Sequence, residues 1–204
     1  MNAIAAITLE VPDPGAADAF HTEAFGLDDR FRTRASESST TGFRGFTLSL
    51  VVAQPSTVDS LMDTAVAAGA EVLKPAEKSF WGYGCSLRDP GGAVWTIASS
   101  SKKDTGPATR EIDQIVLLLG PEDVSASKRF YVERGLEVEK SYGRKYVEFK
   151  TPEGGIRLAL NGRRALAKNA GVSPEGTGSH RIVIGGEAGA FTDPDGFEWE
   201  AVAA

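Results

Sequence analysis

A chain of 204 residues is enough for one or two domains and for a core that needs neither disulfides nor metals. With 41% hydrophobic and 25% charged residues it falls outside the disordered and fibrous classes. Its 28 acidic against 22 basic side chains, a net charge of -6, argue against nucleic acid and anionic membrane as default partners.

Ile4, Ile7, Leu9 and Val11 predict an opening strand. Asp13 as N-cap, Pro14 at the first helical position, the stripe Ala17, Phe20 and Ala24, and Gly26 as the stop predict the first helix. A polar loop over 36–41 leads to an apolar strand from Phe46 to Ala53. Ser56 is expected to cap the next helix, where Val58, Leu61, Met62, Ala65 and Val66 recur at helical spacing before Gly69. Strands follow around Val72, Cys85 and Trp95, and the polar, proline-containing stretch 99–107 reads as a linker. Beyond it, Ile112 and Ile115 to Leu119 predict a strand, and Val124, Phe130 and Tyr131 a helix before Gly135. Tyr146 to Lys150 and Ile156 to Leu160 read as paired strands around the turn Pro152-Glu153-Gly154-Gly155. A short basic helix over 163–169 and strands at 181–184 and 198–202 complete the chain.

The sequence echoes itself. Asp89-Pro90-Gly91-Gly92-Ala93-Val94-Trp95 matches Asp193-Pro194-Asp195-Gly196-Phe197-Glu198-Trp199 at an offset of 104 positions, and Ile7-Thr8-Leu9 before Phe20 and Gly26 matches Ile115-Val116-Leu117 before Phe130 and Gly135. In both Asp-Pro turns the proline presets one dihedral and the glycine is free to take positive φ. Two related halves, 1–100 and 110–204, joined by a linker over 101–109, are the expected organisation.

These motifs, with Ala65 to Pro75 and Phe80-Trp81-Gly82-Tyr83-Gly84, make the chain resemble the vicinal oxygen chelate superfamily, that is, the glyoxalase/bleomycin resistance/extradiol dioxygenase proteins. The resemblance implies an α+β fold of tandem βαβββ modules whose curved mixed sheets enclose a cleft. Relative to a full unit the first half lacks middle strands before Phe46 and the second lacks a helix before its last strand pair, so each half is expected to complete the other's sheet.

The resemblance also implies where a metal would sit in members that bind one: a histidine on the first strand of a module and a glutamate on the last. In the first half Ala6, Gly45 and Thr96 stand there, and no metal site follows; Thr96 remains a candidate ligand contact. In the second half Gln114, His180 and Glu200 stand there, with Ala159 as the fourth. The simpler reading has Gln114 and Glu200 hydrogen-bonding across strands and His180 at a strand start beside solvent, since an amide oxygen is a poor transition-metal donor and the chain has only two histidines. His21, placed beside Phe20 as Tyr131 is beside Phe130, reads as helix packing, and Cys85 as a small core residue. Trp95 and Trp199 read as core, whereas Trp81, flanked by Gly82, is expected to turn a face to a cleft. Arg144, Lys145, Arg163, Arg164 and Lys168 read as solvated surface, with attraction of an anionic ligand as the alternative.

The leading expectation is metal-independent binding of a small organic molecule, in one version aromatic, by Gln114, His180, Glu200, Trp81 and Thr96, with no cofactor. The alternatives are a divergent metal-dependent lyase or dioxygenase using Gln114, His180 and Glu200, and an interaction module with a collapsed cleft. Partners expected are that small molecule and, where the chain self-associates, a second copy in a homodimer. One cysteine favours a reducing compartment, and without a signal-like start or an apolar run of about 18 residues the expected location is the cytoplasm.

Overall fold

The computed structural model describes residues 3–202; residues 1, 2, 203 and 204, the outer ends of the two halves, lie outside the described residues. Two complete β-α-β-β-β units lie at its centre. The first comprises β4 (Phe46–Val51), α2 (Pro55–Ala67), β5 (Glu71–Ser79), β6 (Gly82–Arg88) and β7 (Val94–Ser99), in the spatial order β4-β7-β6-β5 with β4 and β7 parallel. The second comprises β8 (Gln114–Leu119), α3 (Val124–Glu133), β9 (Val138–Tyr142), β10 (Tyr146–Phe149) and β11 (Ile156–Asn161), ordered β8-β11-β10-β9 with β8 and β11 parallel. They meet where β4 and β8 run antiparallel, Phe46 opposite Leu119 and Val51 opposite Gln114.

A smaller group of strands continues the same 13-stranded mixed sheet. β1 (Ile4–Val11) pairs in parallel with β2 (Phe31–Ala35), across α1 (Pro14–Phe25), and antiparallel with β13 (Ile182–Gly186). β13 is followed in space by β15 (Glu198–Ala201) and then β14 (Phe191–Thr192). Strands from before and after residues 101–109 therefore alternate in the sheet. β3 (Thr40–Gly42) and β12 (Gly176–Gly178) form a separate two-stranded ribbon, and α4 (Arg163–Ala170) precedes it. The α+β class and the mixed sheet agree with the expectation from sequence.

Local chemistry accounts for most of the boundaries. Asp13 accepts from the Ala16 amide at 3.0 Å and Gly26 leaves α1 in the left-handed region at φ 65°. The expected cap of α2 needs correction. Pro55 takes the first helical position, so Gln54, not Ser56, is the N-cap residue; the Ser56 amide is instead met by Asp104 at 2.7 Å from the linker. Val66, expected on the apolar stripe, is exposed, because the helix turns Val58, Leu61 and Ala65 inward. The loop over 36–41 also departs from expectation: its end joins β3, whose Thr41 pairs with Thr177.

Alternation along the strands gives the sheet two different faces. Leu48, Leu50, Trp95, Ile97, Leu117 and Leu119 pack with α1, α2 and α3 in the main core. On the opposite face Val94 and Leu118 pack with Phe43 and with Leu166, Ala167 and Ala170 of α4. The Ser86 hydroxyl, on that face, donates to the Ala170 carbonyl at 2.7 Å and fixes the helix end.

Each Asp-Pro turn is locked by a buried carboxylate. Asp89 accepts from the Ala93 amide at 2.9 Å, from Trp95 Nε1 at 2.8 Å, and meets His21 Nε2 of α1 at 3.2 Å. Asp193 accepts from the Asp195 and Phe197 amides at 2.9 and 2.8 Å and from the Tyr131 hydroxyl of α3 at 2.6 Å, which in turn accepts from Trp199 Nε1 at 3.4 Å. His21 and Tyr131, read as packing residues, thus also carry polar bonds. Burial pushes the Asp193 carboxyl above its ordinary 3.8, although hydrogen bonds from Tyr131 and Phe197 oppose the shift.

Tyr131→Phe removes a donor from Asp193 and an acceptor from Trp199, so urea denaturation should show a loss of about 1–3 kcal/mol. Because folding raises the Asp193 pKa, its contribution is full below the unfolded value of 3.8 and is lost as pH rises through the folded one. The stability of the wild type relative to Asp193→Asn should therefore fall as pH rises across that window; a difference independent of pH would contradict this.

Candidate functional site

The β5–β6 hairpin, the end of β7 and the end of α4 enclose a cleft of about 370 Å³ on the face that α4 occupies. Gly84 and Ala98 face each other across β6 and β7, as do Ser86 and Thr96, so Gly84, Thr96 and Ala98 form its floor. Trp81, at the hairpin tip and 84% exposed, stands at the rim, its backbone amide held by the Ser79 hydroxyl at 3.2 Å. Lys74, Glu77 and Asn169 supply polar wall groups. The Thr96 side chain has no hydrogen-bond partner among the described residues, leaving its hydroxyl free to meet a bound molecule.

Of the candidate residues, the structure brings Trp81 and Thr96 to this one cleft. The other three are elsewhere. Gln114 lines a separate cavity of about 240 Å³ with Arg30 and Arg110, its amide donating to the Gly155 carbonyl at 2.7 Å and to Ile115 O at 3.0 Å. Glu200 lies on β15 opposite Gly185, and it adds, with Glu198, to the upward push that the Glu10 hydrogen bond chiefly exerts on the Arg34 guanidinium. His180 stands outside β13, because Arg181 adopts a left-handed φ of 53°, the only positive value at a non-glycine among the described residues. That turn, costing about 1–2 kcal/mol, is held by Arg181 bonds to the carbonyls of Ser36 and Ser38. It lays the imidazole on Phe197 with ring centroids 4.0 Å apart, Nδ1 at 2.5 Å from Arg44 O and Nε2 at 3.0 Å from Asp195 O. Half-buried and lining an open cavity, His180 also ties two loops together.

These positions do not fit a metal ion. Gln114 is assigned by pairing to the β4–β8 stretch and Glu200 to the β1–β13–β15 stretch, and both His180 nitrogens are directed at carbonyl oxygens. No group of three His, Cys, Asp or Glu able to hold a metal occurs among the described residues. Gln114 and His180 line different cavities, and Glu200 lines neither.

Lys74, Glu77, Ala98 and Asn169 were not legible as site residues. The hairpin around Phe80 and Trp81 was the available signal for the first two, since antiparallel pairing carries β5 back along β6. Nothing in the local sequence shows that Asn169, at the end of a short basic helix, reaches the same cleft.

No family model matches the sequence, and no curated protein is detectably similar to it. Solved structures do superpose. Glyoxalase I from Zea mays matches at a TM-score of 0.60 and 16% identity, over 99% of this chain and 92% of that one. A putative dioxygenase from Bacillus subtilis matches at 0.53 and 14%, over 95% of this chain and 71% of that one. At such identities the likeness is one of fold. Paired βαβββ units in one mixed sheet define the class, and this fold is shared with glyoxalase I and the Bacillus subtilis protein.

Cys85 also borders the cleft but is buried, and burial pushes its thiol up to about 12. Native protein treated with iodoacetamide at about pH 8 should remain unalkylated by mass spectrometry and react fully in urea.

Proposed function

We propose that this chain is a glyoxalase/bleomycin resistance type of protein that binds a small organic molecule with an aromatic or apolar part, without a metal, in the cleft between Trp81 and Asn169. The observation that carries the reading is the exposed indole of Trp81 beside the floor of Gly84, Thr96 and Ala98, in a cavity of about 370 Å³. A planar ligand stacks on the indole while the Thr96 hydroxyl and the Lys74, Glu77 and Asn169 side chains fix its polar edge. The dispersed donors support a metal-free mode, and a cavity of this size is a poor match to an interaction module with a collapsed cleft. No helix among the described residues is long and apolar enough to cross a membrane; with the single cysteine, a cytoplasmic location is the consistent proposal, and a homodimer is the proposed assembly where the chain self-associates.

A thermal-shift screen of small aromatic compounds should yield ligands that raise the melting temperature. Trp81→Ala should weaken a hit about tenfold, the equivalent of one stacking contact, and leave the unliganded melting temperature nearly unchanged. Ala98→Trp, which fills the floor, should abolish binding. Hits whose affinity neither substitution alters would overturn the proposal, as would stoichiometric iron, zinc, nickel or manganese that is lost in His180→Ala.

A further inference from the structure

A second cavity, of about 280 Å³, lies at the opposite end of α4 and is lined by Arg44, Arg163, Thr177, Ser179 and His180 among others. Its arginines are bonded to backbone carbonyls, and two carboxylates, Glu122 and Asp195, share the lining. Arg44 donates from Nη2 to Gly91 O at 2.7 Å and has no carboxylate partner among the described residues. Arg163 donates to the carbonyls of Pro174 at 2.9 Å and Phe43 at 2.7 Å, and its guanidinium lies 5.4 Å from the Phe43 ring centre. The acid nearest to Arg163 is Glu122, at 4.0 Å, on a side chain 80% exposed. Asp195 also lines the cavity, but its carboxylate oxygens already accept from the Glu122 amide at 2.9 Å and the Ser127 hydroxyl at 2.8 Å.

The backbone is shaped around these two guanidinium groups. Gly45, at φ 84°, lies where a Cβ would stand 2.6 Å from Arg163 Nη1 and 3.4 Å from the His180 ring. At Gly92, φ 90°, a Cβ would collide with Arg44 Nη2, and at Gly120 it would come within 3.2 Å of Arg163 Cα. Gly45 and Gly92 thus leave room for two forks that each carry five N–H donors, and Gly120 for the backbone at the start of α4. Among the described residues neither arginine has a sealed, unsatisfied nitrogen, and both line the cavity. Burial holds the Arg44 guanidinium below its ordinary value; Asp89 opposes this, and Arg181 and Arg88 add like charge. Arg44, kept partly out of water and without a carboxylate partner among the described residues, carries a desolvation cost that an arriving anion offsets.

We infer that the cavity between Arg44 and Arg163 is a binding site for an oxyanion, the phosphate or carboxylate group of a small molecule, distinct from the Trp81 cleft. Charge-assisted bonds from both guanidinium groups hold the oxygens, and the Thr177 and Ser179 hydroxyls lie in the wall beside them.

The test is a pair of NMR titrations of the full chain, one with inorganic phosphate and one with acetate, each at constant ionic strength made up with chloride. Saturable amide shifts centred on Gly45 and on Gly178 to His180 with either anion support the site and show which oxyanion it takes. Arg44→Gln and Arg163→Gln, made separately so that one misfolding variant leaves the other informative, should each weaken binding at least tenfold. Trp81→Ala and the surface change Arg34→Gln should leave it unaltered. Shifts no larger than chloride gives, shifts centred on other residues, or wild-type affinity in a folded arginine variant would overturn the inference.

Discussion

The fold depends on two buried carboxylates doing the same mechanical task. A charge taken out of water is costly unless donors surround it: Asp89 and Asp193 each accept from amides of their own turn and meet a side chain on a helix far away in sequence, and the tryptophan of the following strand donates to Asp89 directly and, at the second turn, to the Tyr131 hydroxyl that bonds Asp193. Each lock fixes a turn, the strand that follows and a covering helix relative to one another. For Asp89 the strand is β7, so Thr96, next to Trp95, inherits its place on the cleft floor from the bond Trp95 makes on the other side of the sheet. Site geometry and core stability therefore share a common support.

The face opposite the core is divided by α4. Leu166, Ala167 and Ala170 occupy its middle, leaving open space at the two ends of the helix: the largely apolar Trp81 cleft at one and the arginine cavity at the other. The same arrangement explains why the positions that the family resemblance marks for a metal do not cooperate. Gln114 and Glu200 are carried by different stretches of the sheet, and the left-handed Arg181 turns His180 onto Phe197.

What could be read from the sequence follows physical rules. Elements with a strong apolar period or a marked cap, such as α1 with Asp13, Pro14 and Gly26, or β4 with Phe46, Leu48 and Leu50, were legible because their cause is local. β2, β3, β9 and β12 were not. Arg32 and Arg34, the Thr40–Gly42 stretch, Glu139 and Lys140, and the Gly176–Gly178 stretch carry no apolar signal, and these strands form because a partner edge is available. Of the candidate site, Trp81 and Thr96 followed from a hairpin and a motif position. The environment of Arg163, read as solvated surface, depends on Gly45 and Gly120 coming together from distant segments, and no window of sequence contains that meeting.

The antiparallel seam between β4 and β8 has a further consequence. Each of these strands is the other's only neighbour on that side, so cutting the gene at residues 101–109 would leave both fragments with a bare, apolar β edge. Such an edge recruits whatever strand it meets. Co-expressed fragments would reassemble through it, whereas a solitary fragment would satisfy it with copies of itself, trading a monomeric fold for a swapped or aggregated one.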